Sequence, residues 1–314
     1  MADILKKATR EGYGDALVAL GKEHDDLIVM DADLAGATKT GVFKKAFPDR
    51  FFNAGIAEAN MIGVAAGLAT CGKTVFASSF AMFATGRAYE QIRNSVAYPH
   101  LNVKIAASHG GISVGEDGAT HQCIEDLALM RSIPGMVVLN PADYYEAKKA
   151  TIAAYHYNGP VFIRYGRLAV PVIFDEDTPF EIGKGVQLKD GSDVTVIATG
   201  LMVNEALLAY DILKEEGISA RIINMATIKP IDRDIVVKAA KETGAIVTAE
   251  EHSFYNALGS AVCEVVAETC PCPVARLGVE DEFGTSGPAL ELLKEYKLSA
   301  EGIVEKVKEV LKRK

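Results

Sequence analysis

The sequence predicts an α/β protein with two domains, each built on a mostly parallel sheet flanked by helices. Its 314 residues suggest about two domains, at roughly 100–200 residues each. Short apolar runs rich in β-branched and aromatic residues alternate with longer helical patterns along almost the whole chain. The alternation stops once, between residues 168 and 190, and then resumes. Apolar strands separated by helices are typical of parallel sheets that are covered on both faces.

The first half of the chain supplies one set of strands and helices. Each predicted strand is a brief apolar run bounded by Gly, Asp or Pro, and each predicted helix has apolar residues at helical spacing. The predicted strands are residues 27–30, 50–53, 74–78, 103–108, 136–140 and 161–164. The predicted helices are residues 4–23, 59–69, 86–98, 124–131 and 143–155.

The segment from 168 to 190 has a different composition. It contains Pro171, Pro179, Gly183 and Gly185, which are typical of an extended, turn-rich connection. We therefore predict a first domain over residues 1–167, a linker over 168–190 and a smaller second domain over 191–314. Within the second domain we predict strands at 194–199, 220–224, 245–249 and 274–277, and helices at 203–216, 232–243, 257–269 and near the end.

Charge and cysteine content exclude several classes of protein. The net charge of −9 argues against a nucleic-acid partner, which normally requires a basic face. The best apolar run, residues 61–69, is far shorter than the roughly 20 residues that span a bilayer. The first residues lack the apolar core of a signal peptide. The five cysteines are odd in number and follow no zinc-ligand spacing. We therefore expect a cytoplasmic protein with reduced thiols and neither a membrane nor a nucleic-acid partner.

Polar or aromatic side chains follow four predicted strands of the first domain. Asp31 and Asp33 follow the first strand, Glu58 the second, Phe80 the third and His109 the fourth. Ligands of such sheets bind beyond the carboxyl ends of the strands. We therefore expect these side chains to meet at one edge of the sheet.

Glu58 begins a helix made largely of small residues, among them Ala59, Gly63 and Gly67. An acid in the first turn is stabilised by the helix dipole, by about 0.3–1 kcal/mol, and this structural interpretation alone is sufficient. The small residues would let another backbone approach the helix closely. From the residues alone, a structural and a functional interpretation of Glu58 both stay open.

A loop at residues 108–122 contains two histidines, two acids and four glycines. Fifteen residues without regular structure are unusual in a compact domain unless they carry function. We therefore expect the loop to bind a ligand.

Aromatic and basic residues near these segments are less specific signals. Phe80 and Phe83 are three residues apart and would share one helical face, which is more typical of a core than of a ring stack. Arg10, Arg164 and Arg167 could each bind an anion, although a surface charge is the simpler interpretation of each.

Several of these segments together resemble the transketolase family. Residues 51–167 resemble the pyrimidine-binding domain, and Val247-Thr-Ala-Glu-Glu-His-Ser resembles the C-terminal domain of that family. The stretches that carry the first resemblance are Asn53-Ala-Gly-Ile-Ala-Glu-Ala-Asn-Met-Ile-Gly, Ser79-Phe-Ala-Met-Phe and Gly115-Glu-Asp-Gly-Ala-Thr-His-Gln, with lesser matches at Ala8-Thr-Arg, Asp31-Ala-Asp-Leu and Phe162-Ile-Arg-Tyr-Gly-Arg.

The resemblance implies a binding site for the coenzyme thiamine diphosphate. Glu58 matches the catalytic carboxylate that hydrogen-bonds the pyrimidine ring. Phe80 and Phe83 match residues that line the pyrimidine pocket, and flat aromatic walls suit a flat ring. Asp33 matches an acidic residue near the coenzyme.

The resemblance also implies a site for sugar phosphates. His121 matches a catalytic histidine beside the reacting carbon, and Asp117 matches the residue that distinguishes the hydroxyl stereochemistry of the donor sugar. Arg10, His109 and Arg167 match positions that hold the sugar phosphate, a task for which guanidinium is well suited.

Two positions depart from the family pattern. Ala37 stands where other members have a serine that contacts the substrate phosphate. The segment Ala84-Thr-Gly-Arg-Ala-Tyr-Glu contains one extra residue after Phe83. Both departures affect the details of phosphate and pyrimidine contacts rather than the class of protein.

The resemblance implies a partner subunit as well. Full-length members bind the diphosphate through magnesium with a Gly-Asp-Gly motif, which does not occur in the 314 residues. We therefore expect a separate N-terminal subunit that holds Mg²⁺ or another divalent cation, in a heterotetramer with two copies of each chain. The alternatives are the beta subunit of a 2-oxo acid dehydrogenase first component, half of a deoxyxylulose-phosphate synthase, and a non-catalytic subunit of the same fold. The loop Gly115-Glu-Asp-Gly-Ala-Thr-His-Gln favours a transketolase over the first two.

Overall fold

The computed structural model describes residues 5–314, and it confirms the predicted α/β class. Two large, mostly parallel sheets carry helices on both faces, and a separate two-stranded antiparallel ribbon pairs residues 6–8 with residues 169–171. The strands are β1 (Lys6–Ala8), β2 (Leu27–Asp31), β3 (Phe51–Asn53), β4 (Thr74–Phe80), β5 (Val103–Ser108), β6 (Val137–Leu139), β7 (Val161–Tyr165), β8 (Ala169–Pro171), β9 (Val186–Lys189), β10 (Val194–Ala198), β11 (Ala220–Asn224), β12 (Thr227–Lys229), β13 (Ile246–Ser253) and β14 (Val274–Val279).

The helices alternate with these strands. Where a cap is formed by a side chain, it is Asp143, Asp232 or Ser299, each of which accepts a hydrogen bond from a backbone N–H of the first turn. The helices are α1 (Thr9–Glu23), α2 (Ala35–Thr38), α3 (Gly41–Ala46), α4 (Glu58–Thr70), α5 (Tyr89–Gln91), α6 (Asp126–Ser132), α7 (Tyr144–His156), α8 (Met202–Glu215), α9 (Arg233–Thr243), α10 (Leu258–Thr269), α11 (Ala289–Glu295) and α12 (Ala300–Leu311).

The first sheet has the strand order β12-β6-β7-β5-β4-β2-β3, and all neighbours except β12 and β6 are parallel. Helices α1 and α7 cover one face, where Tyr13 and Leu17 pack with Ala147 and Phe76. Helix α4 covers the other face through Met61 and Ile62. This explains why the central strands are apolar on both sides.

The second sheet has the order β14-β13-β10-β11-β9, and only β9 runs antiparallel to its neighbour. Helices α8 and α12 cover one face, with Val203 and Ile303 in one apolar cluster. Helices α9 and α10 cover the other face, and their apolar side chains belong to the same cluster as those of α4. The two sheets therefore share a continuous hydrophobic core.

Several segments differ from the sequence prediction. The segment predicted as a linker contains two strands: β8 pairs with β1, and β9 pairs with β11 of the second sheet. Strand β12 lies in the second half of the chain but completes the first sheet beside β6. The first helix begins at Thr9 rather than Ile4, because residues 6–8 are used in β1; Ile4 itself lies outside the described residues.

The predicted helix at 86–98 is interrupted. Wide turns of the π type occupy Phe83–Arg87 and Ile92–Ala97, on either side of α5. A π turn accommodates one residue more than an α turn does, and such turns are frequent at functional sites. The first of these turns begins at Phe83, where the sequence predicts one extra residue.

Every helix within residues 5–314 is too short or too polar to cross a bilayer.

Candidate functional site

The candidate site lies at the carboxyl edge of the first sheet. Glu58 begins α4 shortly after β3, Phe80 ends β4, and His109 directly follows β5. These strands belong to one parallel sheet in the order β5-β4-β2-β3, so their carboxyl ends lie at the same edge. There His109 stacks on Phe80, and Glu58 contacts Ser79, the residue that precedes Phe80.

Glu58 is a buried carboxylate with few partners. Its side chain is 3% exposed, at the first position of α4. The Ser79 hydroxyl donates a hydrogen bond to Oε1 at 3.2 Å, and Nη1 of Arg87 lies 3.3 Å from both carboxylate oxygens. A buried charge needs such partners, and the N-terminus of a helix also stabilises it. Within the described part of the chain, Ser79 and Arg87 are the side chains that hold Glu58 in place.

Four rings form an aromatic wall beside this carboxylate. Phe80 and Phe83 are nearly parallel with centroids 6.0 Å apart, and His109 stacks on Phe80 at 3.9 Å. His121 meets the ring of Phe83 edge-on at 5.2 Å. The expected shared helical face is wrong, because Phe80 still belongs to the extended strand β4 and Phe83 begins the π turn. The two rings nevertheless stack.

Arg87 is a site residue that the sequence analysis missed. Its guanidinium carbon lies 4.1 Å from the centroid of the Phe83 ring, a cation–π distance, while Nη1 pairs with Glu58. The side chain of Arg87 is 52% exposed, so it lies between the buried carboxylate of Glu58 and solvent. The contact depends on the π turn that ends at Arg87, which no local sequence pattern indicated.

His109 is buried in a left-handed backbone conformation, with φ of 60°. Its Nδ1 is 2.9 Å from the Ser108 hydroxyl. Burial, reinforced by the positive charges of Arg10 and Arg167 and by His121, lowers the pKa of His109 to about 3. His109 is therefore a neutral imidazole at physiological pH and can offer hydrogen bonds but no charge.

Arg10 and Arg167 lie close enough to each other to interact electrostatically. Burial, reinforced by repulsion from Arg167 and opposed by Glu11, lowers the pKa of Arg10. Nη1 of Arg10 donates to the Ala37 carbonyl at 2.7 Å, but its buried Nε has no hydrogen-bond partner among the described residues. Nη1 of Arg167 donates to the Val114 carbonyl at 3.0 Å and pairs with the exposed carboxylate of Glu116 at 3.2 Å. Two arginines, one of them paired with a carboxylate, therefore lie beside a neutral histidine.

Asp33 and Asp117 lie apart from this cluster. Asp33 has a φ of 65° and accepts a hydrogen bond from the Asn53 amide at 2.8 Å. Asp117 is exposed in the loop that follows β5. Within residues 5–314, neither carboxylate forms a hydrogen bond or ion pair with Glu58 or with the aromatic wall. The Nδ1 of His121 is 2.9 Å from the Thr120 hydroxyl.

Two charged residues that the sequence placed near the site support the fold instead. Asp31 is buried and accepts hydrogen bonds from the Thr38 and Thr40 hydroxyls at 2.7 and 2.9 Å, which fixes the segment after β2. Arg164 is not a surface charge as expected, because it is 3% exposed and pairs with the buried Asp126 at 2.9 Å. The apolar environment on both sides of β7 forces this arginine to find a buried partner.

Comparison with known proteins identifies the relatives of this chain. Residues 6–172 match the family described as the pyrimidine binding domain of transketolase, and residues 183–303 match the C-terminal domain of transketolase. A "Putative transketolase C-terminal section" from Methanocaldococcus jannaschii is 55% identical over 98% of this chain and 97% of that protein. A "6-deoxy-6-sulfo-D-fructose transketolase subunit" from a Clostridium species is 43% identical over 97% of this chain and 95% of its own length.

A solved structure agrees with these sequence relatives. The structure titled "Split gene transketolase, inactive beta4 tetramer" is 53% identical, covers 98% of this chain and 99% of its own, and superposes with a TM-score of 0.90. The match therefore extends over both sheets and over the order of the two domains. The chain belongs to the transketolase family and corresponds to its C-terminal section, a pyrimidine-binding domain followed by a C-terminal domain.

Proposed function

We propose that this chain is the subunit of a two-subunit transketolase that supplies the catalytic carboxylate. The complex would transfer a two-carbon ketol unit from a ketose phosphate to an aldose phosphate with thiamine diphosphate. The observation that carries the proposal is the buried carboxylate of Glu58 beside the stacked rings of Phe80 and Phe83. A carboxylate and flat aromatic walls are what an aminopyrimidine needs.

The residues of the pocket fit the pyrimidine half of this coenzyme. Among residues 5–314, Glu58 has two side-chain partners, and the contact from Arg87 is long and half-exposed, so a ring donor can replace it. When bound, the coenzyme supplies the nucleophilic carbon that accepts the ketol unit. Glu58 would hydrogen-bond the pyrimidine and fix its orientation, while Phe80 and Phe83 exclude water from the ring. Asp33 would lie at the edge of the same pocket.

The substrate would lie on the side of the histidines. His121 would act catalytically at the carbon being transferred, with Thr120 fixing the orientation of the ring. Arg10, His109 and Arg167 would bind the sugar phosphate, a role supported by the two adjacent cations and by the unpartnered Nε of Arg10. Asp117 would distinguish the hydroxyl groups of the donor from its exposed position in the loop.

A partner would complete the site. We propose an N-terminal transketolase subunit that binds the diphosphate through Mg²⁺ or a similar cation, in a cytoplasmic heterotetramer of two chains of each kind. The names of the relatives support this division, since they describe a C-terminal section, a subunit and a split gene. The exposed face of α4 supports a self-dimer within that assembly. Gly63 and Gly67 leave open space there, because an added Cβ at either position meets no other atom within 4 Å.

The proposal is tested by combining the chain with its N-terminal subunit and replacing Glu58 by alanine. We expect the wild-type complex to transfer ketol units and the Glu58→Ala complex to lose at least about a hundredfold in rate, as for loss of a group that acts on the reacting centre. Exchange of the thiazolium proton with deuterium, followed by NMR, should slow to a similar extent. Proton exchange at the wild-type rate in the Glu58→Ala complex would exclude the proposed role.

The same complex separates transketolase from the alternative enzymes. A 2-oxo acid dehydrogenase component would release carbon dioxide and pass an acyl group to lipoyl, whereas a transketolase forms a new ketose phosphate without loss of carbon. Isotope-labelled donor sugar, followed by mass spectrometry, distinguishes these products. Robust ketol transfer by this chain without a partner would contradict the proposed division between two subunits.

A further inference from the structure

The loop that contains Asp117 and His121 rests on the second domain. We refer to residues 109–122 as the site loop and to residues 280–288, between β14 and α11, as the bracing segment. The buried side chain of Gln122 ends the site loop, and its Nε2 donates to the carbonyl of Thr285 in the bracing segment at 2.9 Å. The same Nε2 lies within hydrogen-bond distance of the Ile112 and Gly115 carbonyls, at 3.1 and 3.3 Å. The side-chain amide of Gln122 therefore connects the end of the site loop both to its first half and to the second domain.

The two segments are packed without spare room. Gly118, with φ of 72°, occupies the middle of the site loop, and an added Cβ there would lie 2.3 Å from the Ser286 hydroxyl. On the opposite side, an added Cβ at Gly284 would lie 2.0 Å from Oε1 of Gln122. Such distances are far inside van der Waals contact. A methyl group at either position would therefore displace the side chain of Ser286 or of Gln122.

A further contact holds the beginning of the site loop. The backbone N–H of Ser113 donates to Oε1 of the buried Glu251, at 2.5 Å, and Glu251 belongs to β13 of the second domain. The site loop is thus fixed at its start by β13 and at its end by the bracing segment. The second domain itself contributes none of the proposed catalytic or substrate-binding residues.

We propose that the bracing segment positions the site loop, with Gln122 as the positioning residue, so that the second domain determines the affinity for the donor sugar. Gln122 directly follows His121, so displacement of its side-chain amide would shift the imidazole of His121. It would also leave the backbone at Asp117 free to move. Misplacement by about 1 Å is enough to lower a rate or an affinity strongly. The inference rests on the proposed function, because it assigns the effect to the sugar site of that reaction.

The test uses the complete complex with the N-terminal subunit and two variants. Gly284→Ala places a methyl group against Gln122 from the second domain, and Gln122→Met removes the amide while keeping the volume. Asp281→Asn is the matched control, since Asp281 is exposed in the bracing segment and forms no hydrogen bond or ion pair within residues 5–314. The KM for the ketose phosphate donor, kcat, the affinity for thiamine diphosphate and the melting temperature are measured for each.

We expect both variants to raise the donor KM by about tenfold, in keeping with the loss of one or two hydrogen bonds. Both variants disturb a tightly packed contact, so the melting temperature should fall by a few degrees. Coenzyme affinity should stay at the wild-type value, and the control should match the wild type throughout. An unchanged donor KM in both variants overturns the inference. So does a parallel loss of coenzyme affinity and melting temperature, or failure of both variants to fold, because the contact would then support the fold alone.

The proposed function is tested separately from the positioning role of Gln122. If the wild-type complex transfers no ketol unit, or if Glu58→Ala is fully active, the proposed function is rejected whatever Gly284→Ala and Gln122→Met show. If the wild type is active and Glu58→Ala is not, a normal donor KM in Gly284→Ala and Gln122→Met rejects only the positioning role.

Discussion

Arg87 has the most unusual environment of any single residue at the site. Its guanidinium lies over the ring of Phe83 and pairs with the carboxylate of Glu58, the two groups proposed to receive the pyrimidine. A bound ring must therefore displace this side chain from one or both contacts. In the isolated chain, Arg87 therefore occupies the groups to which the ring would bind.

We predict that Arg87→Met tightens the binding of thiamine diphosphate to the complex by about two- to fivefold. The substitution removes a half-exposed ion pair, worth about 0.2–1 kcal/mol, that coenzyme binding would otherwise break. Calorimetric titration with the coenzyme measures the change, and Arg93→Met is a control on an exposed arginine of the same segment. Weaker binding by Arg87→Met would instead place the guanidinium in contact with the bound coenzyme.

His109 leads to a second prediction at this scale. Because its imidazole is neutral, His109→Ala should remove a hydrogen bond and the stack on Phe80 but no charge. We expect kcat/KM to fall by about tenfold for phosphorylated substrates and much less for the unphosphorylated sugars, as for loss of one hydrogen bond to a charged group. Steady-state kinetics with both kinds of substrate provide the comparison. An equal loss for both would remove His109 from the phosphate site.

Among the secondary-structure elements, α4 combines two tasks. Its first residue is Glu58, and its inner face packs in the core through Met61 and Ile62. Its outer face has Gly63, Val64 and Gly67 in the open. A second backbone can therefore approach the same helix that positions Glu58, the proposed catalytic carboxylate, so self-association and coenzyme binding would be linked through α4.

We predict that Val64→Glu weakens self-association of the chain. Val64 is 44% exposed on the open face of α4, and a charge buried in a dimer interface is costly without a partner. Sedimentation equilibrium should show a shift from dimer towards monomer of at least about tenfold in the dissociation constant. Leu290→Glu provides the control, because Leu290 is 65% exposed on α11 of the second domain. Equal self-association of the wild type and Val64→Glu would exclude α4 from the interface.

On the scale of the whole molecule, the sequence predicts what is local and misses what depends on distant pairing. The central strands β2, β4, β5 and β7 were predictable because their apolar runs are long and are bounded by turn residues. The three-residue strand β12 was not, since only its pairing with β6, nearly 90 residues earlier, makes it a strand. The short pairings of β1 with β8 and of β9 with β11 escaped prediction for the same reason.

The same distinction applies to the site. Glu58, Phe80 and His109 could be placed together from the sequence because each follows a strand of one parallel sheet. The contact of Arg87 with Glu58 could not, because it depends on the π turn that follows β4. The hydrogen bond from Gln122 to Thr285 joins residues more than 160 positions apart, which no local pattern encodes.

The contact between the two domains gives the molecule a dependence of stability on pH. Glu251 is fully buried at this contact, and burial, opposed chiefly by Arg164, raises the pKa of its carboxyl group to about 7. In the unfolded chain the same group titrates at about 4.3. Between these two values the folded protein binds more protons than the unfolded chain, so the stability contributed by Glu251 is complete below the unfolded pKa and is lost as the pH rises towards 7.

We therefore predict that the free energy of unfolding of the wild type, measured relative to Glu251→Gln, falls as the pH is raised from about 4.5 to 7. The fall should reach up to about 1.4 kcal/mol per pH unit and level off above pH 7, because the glutamine imitates the protonated carboxyl group and does not titrate. Urea unfolding at pH 5, 6, 7 and 8 measures the difference. His109 and His252, whose lowered pKa values act with the opposite sign, are present in both proteins and cancel in the comparison. A difference that stays constant from pH 5 to 8 would show that Glu251 is already ionised in the folded protein, with Arg164 compensating its charge.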